Sequence, residues 1–315
     1  MLFEKEKEKK SFLDLMADHT VVAPCVYDCL SARICEDAGF EAMCLSGGEL
    51  AASLCGFPDI GLVTQDELVG VVDRISSCTD IPMIVDIDTG FGNEINLIRT
   101  CKRVAKAGAK AVHLEDQTFP KRCGHLKGKT VIGHDEYINK VRAAVYALEG
   151  TGCILIARTD AYHTLGLEEA ISRCNDAIEA GASVSFIEGC GSLADIEYAG
   201  KMVKGYKMFA MMSRGASPKV TYQQCVDWGY NLITMHPAGA LRGMRETYAR
   251  CFEAKSDVAL FDMPPVDPKY AGNGKGFFEM FGLNEWLEVG KRFNSSINLA
   301  EHEKPRDGNG VEGSF

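Results

Sequence analysis

Eight short apolar runs punctuate the chain: TVVAPCV (20–26), EAMCLSG (41–47), PMIVDID (82–88), KAVHLED (110–116), CILIART (153–159), SVSFIEG (183–189), YKMFAMM (206–212) and NLITMHP (231–237). They are brief and lack the alternation of half-exposed hairpins, so they predict strands buried on both faces. Between them lie stretches with i, i+3, i+4 apolar spacing. CLSARICEDAG runs to Gly39, RTCKRVAKAGA to about Gly108 and LEEAISRCNDAIEAGA to about Gly181. Each places glycine where a helix C-terminal cap belongs. Helix, glycine and strand in repetition predict the α/β class and a (β/α)8 TIM-type barrel. An open doubly wound sheet is the alternative, but no GxGxxG follows the first strand.

The pattern divides the chain into a charged N-terminal segment and helix (1–19), a barrel domain (20–255), a connector with a C-terminal helix (256–300) and a disordered tail (301–315). A barrel does not need the helix around Trp286, which is expected to pack on a neighbouring subunit. The 315 residues, 46% of them hydrophobic, suffice for one large core. A formal charge of -10 excludes a nucleic-acid footprint. The first ten residues lack the apolar core of a signal peptide, and no apolar run is long enough for a membrane span. The expected location is the cytoplasm. Thirteen cysteines are scattered singly with no CxxC pair, which predicts reduced thiols in the core.

Barrel active sites form where strands end. The predicted strands end in Ser46-Gly47-Gly48, in Asp86 and Asp88, in Glu115-Asp116, in Arg158-Thr159-Asp160, in Glu188 and in His236. Unpaired, the carboxylates of Asp86, Asp88, Glu115 and Glu188 repel one another, and a hard cation relieves them; oxygen ligands suit Mg2+, with Mn2+ as the substitute. Asp86 and Asp88, two apart on a strand, are expected to project to one face. The backbone of Ser46-Gly47-Gly48 can approach a carboxylate or keto oxygen, and Arg158 offers a fork for a second carboxylate. FPKRCGHLKGK (119–129) follows the fourth strand in a connection long enough to be a lid. Cys123 sits there beside Lys121, Arg122 and His125, which predicts a favoured thiolate and a general acid or base.

The segments LSGG (45–48), GFPDIGLVT (56–64), DIDTGFGN (86–93), HLEDQ (113–117), KRCGH (121–125), ARTDA (157–161) and FIEG (186–189) carry a resemblance. From about Thr20 to Ala254 the chain resembles the isocitrate lyase / phosphoenolpyruvate mutase superfamily, in its short-chain 2-methylisocitrate and 2,3-dimethylmalate lyase branch. The resemblance implies Mg2+ around Asp86, with Asp88 and Glu115 acting through waters, and Cys123 as the acid that protonates a departing carbanion. It implies carboxylate binding by His125 and Arg158, and Asp59 and Glu188 as further active-site acids. Ser46, Gly47, Gly48, Lys121, Arg122, Gly124 and Arg214 complete the expected substrate contacts. It also implies a C-terminal helix swapped between subunits of a homotetramer, a dimer of dimers. Three departures stand out: Cys44 where such lyases carry Tyr, Met211 and Met212 where they carry Asn, and Arg214 near an expected Glu. The expected activity is Mg2+-dependent carbon–carbon cleavage of a small 2-hydroxy di- or tricarboxylic acid, with no nucleic-acid or membrane partner. Alternatives are an oxaloacetate hydrolase-like enzyme, a phosphonate mutase or hydrolase, and a catalytically idle binding barrel.

Overall fold

The computed structural model describes residues 11–212, 215–236, 238–255 and 278–293. Helix α1 (Phe12–Asp18) precedes eight strands: β1 (Val21–Val26), β2 (Met43–Leu45), β3 (Met83–Asp86), β4 (Ala111–Glu115), β5 (Ile154–Thr159), β6 (Val184–Ile187), β7 (Tyr206–Met211) and β8 (Leu232–Met235). Each pairs in parallel with the next, and β8 pairs with β1, so the sheet closes as the expected barrel. Between strands stand α2 (Cys29–Asp37), α3 (Gly47–Leu50), α4 (Gln65–Cys78), α5 (Glu94–Lys106), α6 (His134–Leu148), α7 (Tyr162–Leu165), α8 (Leu167–Glu179), α9 (Leu193–Met202) and α10 (Tyr222–Asp227).

Local chemistry sets these boundaries. Helices α2, α5 and α8 each stop two residues before a glycine, Gly39, Gly108 or Gly181, whose φ of 91°, 111° or 107° disfavours any side chain. Helix α4 starts on a capping box in which Thr64 and Glu67 exchange side-chain and backbone bonds. Its inner face buries Leu68, Val71, Val72 and Ile75, each worth roughly 1.5–3 kcal/mol.

The two-residue period of a strand builds the interior. Val21, Ala23 and Cys25, Ala42 and Cys44, Ile84, Ala111, Ile156, Val184 and Phe186, Met208 and Ala210, and Leu232 form one inner cluster. Phe12, Leu15 and Met16 of α1 belong to the same cluster, so α1 plugs the interior. Continuing that period past the strand ends brings Ser46, Asp86, Glu115, Arg158, Glu188, Met212 and His236 to the opposite mouth.

The chain divides into two compact units. The barrel unit spans Glu8–Pro237, and Ala238–Phe315 falls in the second. There the structure describes α11 (Ala238–Ala254) and α12 (Leu283–Phe293). Along α11, Leu241, Met244, Tyr248 and Phe252 are exposed at helical spacing. The expected connector core (256–277), the tail (301–315) and Arg214 lie outside the described residues.

Candidate active site

Strand β3 ends at Asp86. Asp88 is not on the strand, as its spacing suggested, but in a left-handed turn with φ 48°. The turn still joins the two acids: Asp88 N–H donates to Asp86 Oδ1 at 3.0 Å. Gly47 N–H donates to Asp86 Oδ2 at 3.2 Å, and a Cβ on Gly47 would lie 2.9 Å from that oxygen. Gly47 therefore begins α3 and spends its donor on the protein's own carboxylate, rather than extending β2 toward a ligand as expected. Burial opposes the charge of Asp86, but His113, Lys121 and Arg158 hold its pKa down to about 2. Burial pushes Asp88 up, with Asp86 adding to the shift. Burial pushes Glu115 well above the carboxylate range, and Glu115 Oε1 accepts no hydrogen bond among the described residues. Buried hard oxygens short of counter-charge fit a divalent cation of the Mg2+ kind.

Lys121 is buried rather than facing a substrate. It pairs with Asp59 and, at 2.8 Å, with Asp88. Arg158 has carboxylates on three sides: Asp160 Oδ2 3.0 Å from Nε, with Glu115 Oε2 3.1 Å and Glu188 Oε2 3.7 Å from Nη2. Its Nη2 is buried and makes no hydrogen bond of proper geometry among the described residues, so these carboxylates hold it by charge alone. Asp116 turns outward, where it accepts from Asp160 N–H at 2.8 Å and Arg173 Nη1 at 3.0 Å, and is structural.

The loop after β4 is cinched at its base by the Gln117–Val131 bridge. Cys123 N–H donates to the Asp59 carbonyl at 2.9 Å. Buried Lys129 holds the Gly124 carbonyl and, at 2.7 Å, Asp160. A Cβ on Gly124 would stand 2.7 Å from Arg158 Nη2 and 2.9 Å from Glu188 Cδ, so the loop backbone lies directly on the charged floor. The expected thiolate is not favoured: burial pushes the Cys123 thiol up, and its cationic neighbours turn away. Lys121 is spent on the acids, and Arg122 is exposed, bonded to the Lys127 carbonyl at 3.2 Å, outside the cavity lining. A thiol that keeps its proton suits an acid, not a base. His125 Nδ1 accepts from Ala216 N–H at 3.1 Å, leaving Nε2, 3.6 Å from Glu188, to carry the proton.

One cavity of about 290 Å³ opens onto part of this set; Asp88, Glu115, Lys121 and His125 are not in its lining. Ser46, Gly48, Asp59, Asp86, Cys123, Gly124, Arg158 and Glu188 line it. Its other wall holds Cys44, Met212 and His236, which the sequence had marked, and Cys25, Phe186, Met208, Ala210 and the Glu49 partner of His236, which it had not. Glu49 directly follows the Ser-Gly-Gly turn and also holds the Ser46 hydroxyl. Its closeness to the turn was the available signal; its partner stands 187 residues away.

Three known proteins match the chain at similar levels while differing in reaction. A chloroplastic carboxyvinyl-carboxyphosphonate phosphorylmutase from Arabidopsis thaliana is 42% identical, over 70% of this chain and 66% of that protein. 2,3-Dimethylmalate lyase from Eubacterium barkeri is 36% identical, over 70% and 76%. The structure of an oxaloacetate acetylhydrolase bound to 3,3-difluorooxalacetate superposes with a TM-score of 0.82 at 32% identity, covering 90% of this chain and 96% of that one. The profile of the phosphoenolpyruvate phosphomutase family spans residues 12–253. With a closed barrel, acids converging at its mouth and a cysteine loop seated over them, the chain belongs to that family, within the superfamily of carbon–carbon lyases, hydrolases and phosphomutases that it shares with isocitrate lyase.

Proposed function

We propose that the protein is a divalent-cation-dependent lyase that cleaves a short alkyl-substituted 2-hydroxydicarboxylate of the 2,3-dimethylmalate type into a 2-oxo acid and a simple carboxylate. The observation that carries this reading is one cavity lined by a still-protonated Cys123 thiol, the Arg158 guanidinium and Asp86, with Asp88 bonded to Asp86 and Glu115 paired to Arg158. Asp86, Asp88 and Glu115 would hold Mg2+ or Mn2+. When bound, that cation supplies Lewis-acid charge that favours an ionised substrate oxygen. Arg158, with His125, receives a substrate carboxylate. As the carbon–carbon bond breaks, its electron pair goes to the departing carboxylate fragment. Cys123 Sγ–H then protonates that carbon. The seated loop excludes water that would otherwise compete.

The wall of Phe186, Met208, Ala210 and Met212 narrows the substrate class. Alkyl groups gain by resting on it, whereas oxaloacetate has none to offer. The exposed stripe on α11 supports a homo-oligomer, in which the family's dimer of dimers and helix exchange would bury it. Thirteen free cysteines fit a reducing cytoplasm.

The test is incubation with Mg2+ and malate, citramalate, dimethylmalate, methylisocitrate, isocitrate and oxaloacetate, with products read by mass. Dimethylmalate should give pyruvate and propionate. Oxalate and acetate from oxaloacetate as the sole products would establish a hydrolase instead.

A further inference from the structure

Cys44 stands where such lyases carry a tyrosine; Cys25 and His113 pull the pKa of its buried thiol down, and the rim of the same cavity offers a second base for the substrate hydroxyl. His236 stands just past β8, and its Nδ1 is in hydrogen-bond contact with Glu49 Oε1. Glu49 is fixed in turn by Ser46 Oγ on its other oxygen. A carboxylate on Nδ1 sets the tautomer with the proton there and leaves Nε2 as the acceptor. Among the described residues His236 Nε2 has no hydrogen-bond partner, and His236 lines the cavity shared with Asp86 and Cys123. Helix α3 ties the two ends of the chemistry together. Its first residue, Gly47, holds Asp86, and its third, Glu49, holds His236.

We propose that His236, oriented by Glu49, is the general base that removes the substrate hydroxyl proton. This rests on the lyase reading above. The hydroxyl O–H bond breaks to His236 Nε2 while the carbon–oxygen double bond forms. The carbon–carbon bond breaks, and its electron pair leaves with the carboxylate fragment. Cys123 returns a proton to that carbon, and solvent resets the resulting imidazolium and thiolate. Base and acid thus face each other across the cavity from different elements. The groups facing the imidazole are Glu49 on α3, Cys25 on β1, Cys44 on β2, Glu188 just past β6 and His125 on the loop. Burial works against the charged ring, but Glu49 raises its pKa above the ordinary histidine value. Activity should therefore rise with pH through a value above that of free histidine, as His236 loses its proton.

Cys25 Sγ lies within 4.8 Å of the Glu49 and His236 ligand atoms, so the same trio could in principle hold a soft metal. Elemental analysis of protein purified without chelator answers that: stoichiometric zinc lost in His236→Gln would overturn the base assignment. The kinetic test compares wild type, His236→Gln and Glu49→Gln. His236→Gln should lower kcat by about 10²–10⁴-fold and abolish the acidic limb of the pH profile. Added imidazole should restore part of the rate. Binding of Mn2+ with oxalate, followed by electron paramagnetic resonance, should change by less than about threefold if the pocket is intact. A near-wild-type kcat, or a kcat loss matched by lost Mn2+–oxalate binding, would overturn the proposal. If the wild type cleaves none of the acids, the lyase reading fails, and the 15N spectrum still judges the dyad. The signal missing in His236→Gln should show Nδ1 protonated, with a titration point that falls in Glu49→Gln. An Nε2-protonated ring would refute it.

Discussion

From β3 to β6 the cavity wall is backed by a lattice of ion pairs, Lys121 among Asp59 and Asp88, and Arg158 among Glu115, Asp160 and Glu188. From β7 round to β2 it is thioether, methyl and thiol, interrupted by Glu49–His236. Strand geometry is the same on both sides; only the residues at the inward positions differ. The charged side is over-determined, because each cation is shared by two or more acids. Such a wall changes little without collapsing, and it suits tasks common to many reactions: holding a cation and a carboxylate. The apolar side has few mutual constraints and can be re-cut for a new substrate. Three relatives with three reactions on one fold accord with that division.

Substitutions can break the contrast, and the largest effect should come from Asp86. Of Asp86, Asp88 and Glu115, Asp86 is the one whose pKa the surroundings hold down, so in Asp86→Ala divalent-cation binding by calorimetry and turnover should both fall below detection. Retained binding would move the cation elsewhere. Cys123→Ser, at the edge of the charged side, should lower kcat by about 10²–10⁴-fold with Mn2+ affinity unchanged. Lys129→Met strips the buried Asp160 of a partner and should cost about 3–5 kcal/mol in urea denaturation. A loss under about 1 kcal/mol would show that Arg158 alone satisfies Asp160. On the apolar side, Met208→Leu should cost less than about 1.5 kcal/mol while shifting KM among alkylated substrates. The pH profile sharpens the same contrast. Cys123 acts while protonated, and burial raises its pKa, so kcat should hold on the alkaline side past the ordinary thiol value of about 8.5 and fall beyond it.

The barrel was legible because its signals are local: an apolar run, a helical period and a glycine at each helix end. The acids were legible because a parallel barrel forces strand ends to one mouth, so Asp86, Glu115, Arg158 and Glu188 could be gathered from position alone. Direction was not legible. Lys121, Arg122 and Cys123 are consecutive, yet one is buried among acids, one is exposed and one lines the cavity. Adjacency in sequence suggested a shared electrostatic effect that side-chain orientation cancels. His236 was placed at the mouth as a strand end, but Glu49 and its pairing with His236 were missed for the opposite reason: the two meet only because β8 closes on β1.

Gly124 carries a consequence for the stereochemical outcome. With no room for a Cβ above Arg158 and Glu188, the loop can seat at only one height, and its neighbour Cys123 inherits that registration. A planar enolate has two faces, and a donor fixed in height and direction serves one of them. In heavy water the carboxylate product should carry deuterium in a single handedness. A methyl group on residue 124 would act as a doorstop: solvent would reach both faces, and the label would scramble even where turnover survives.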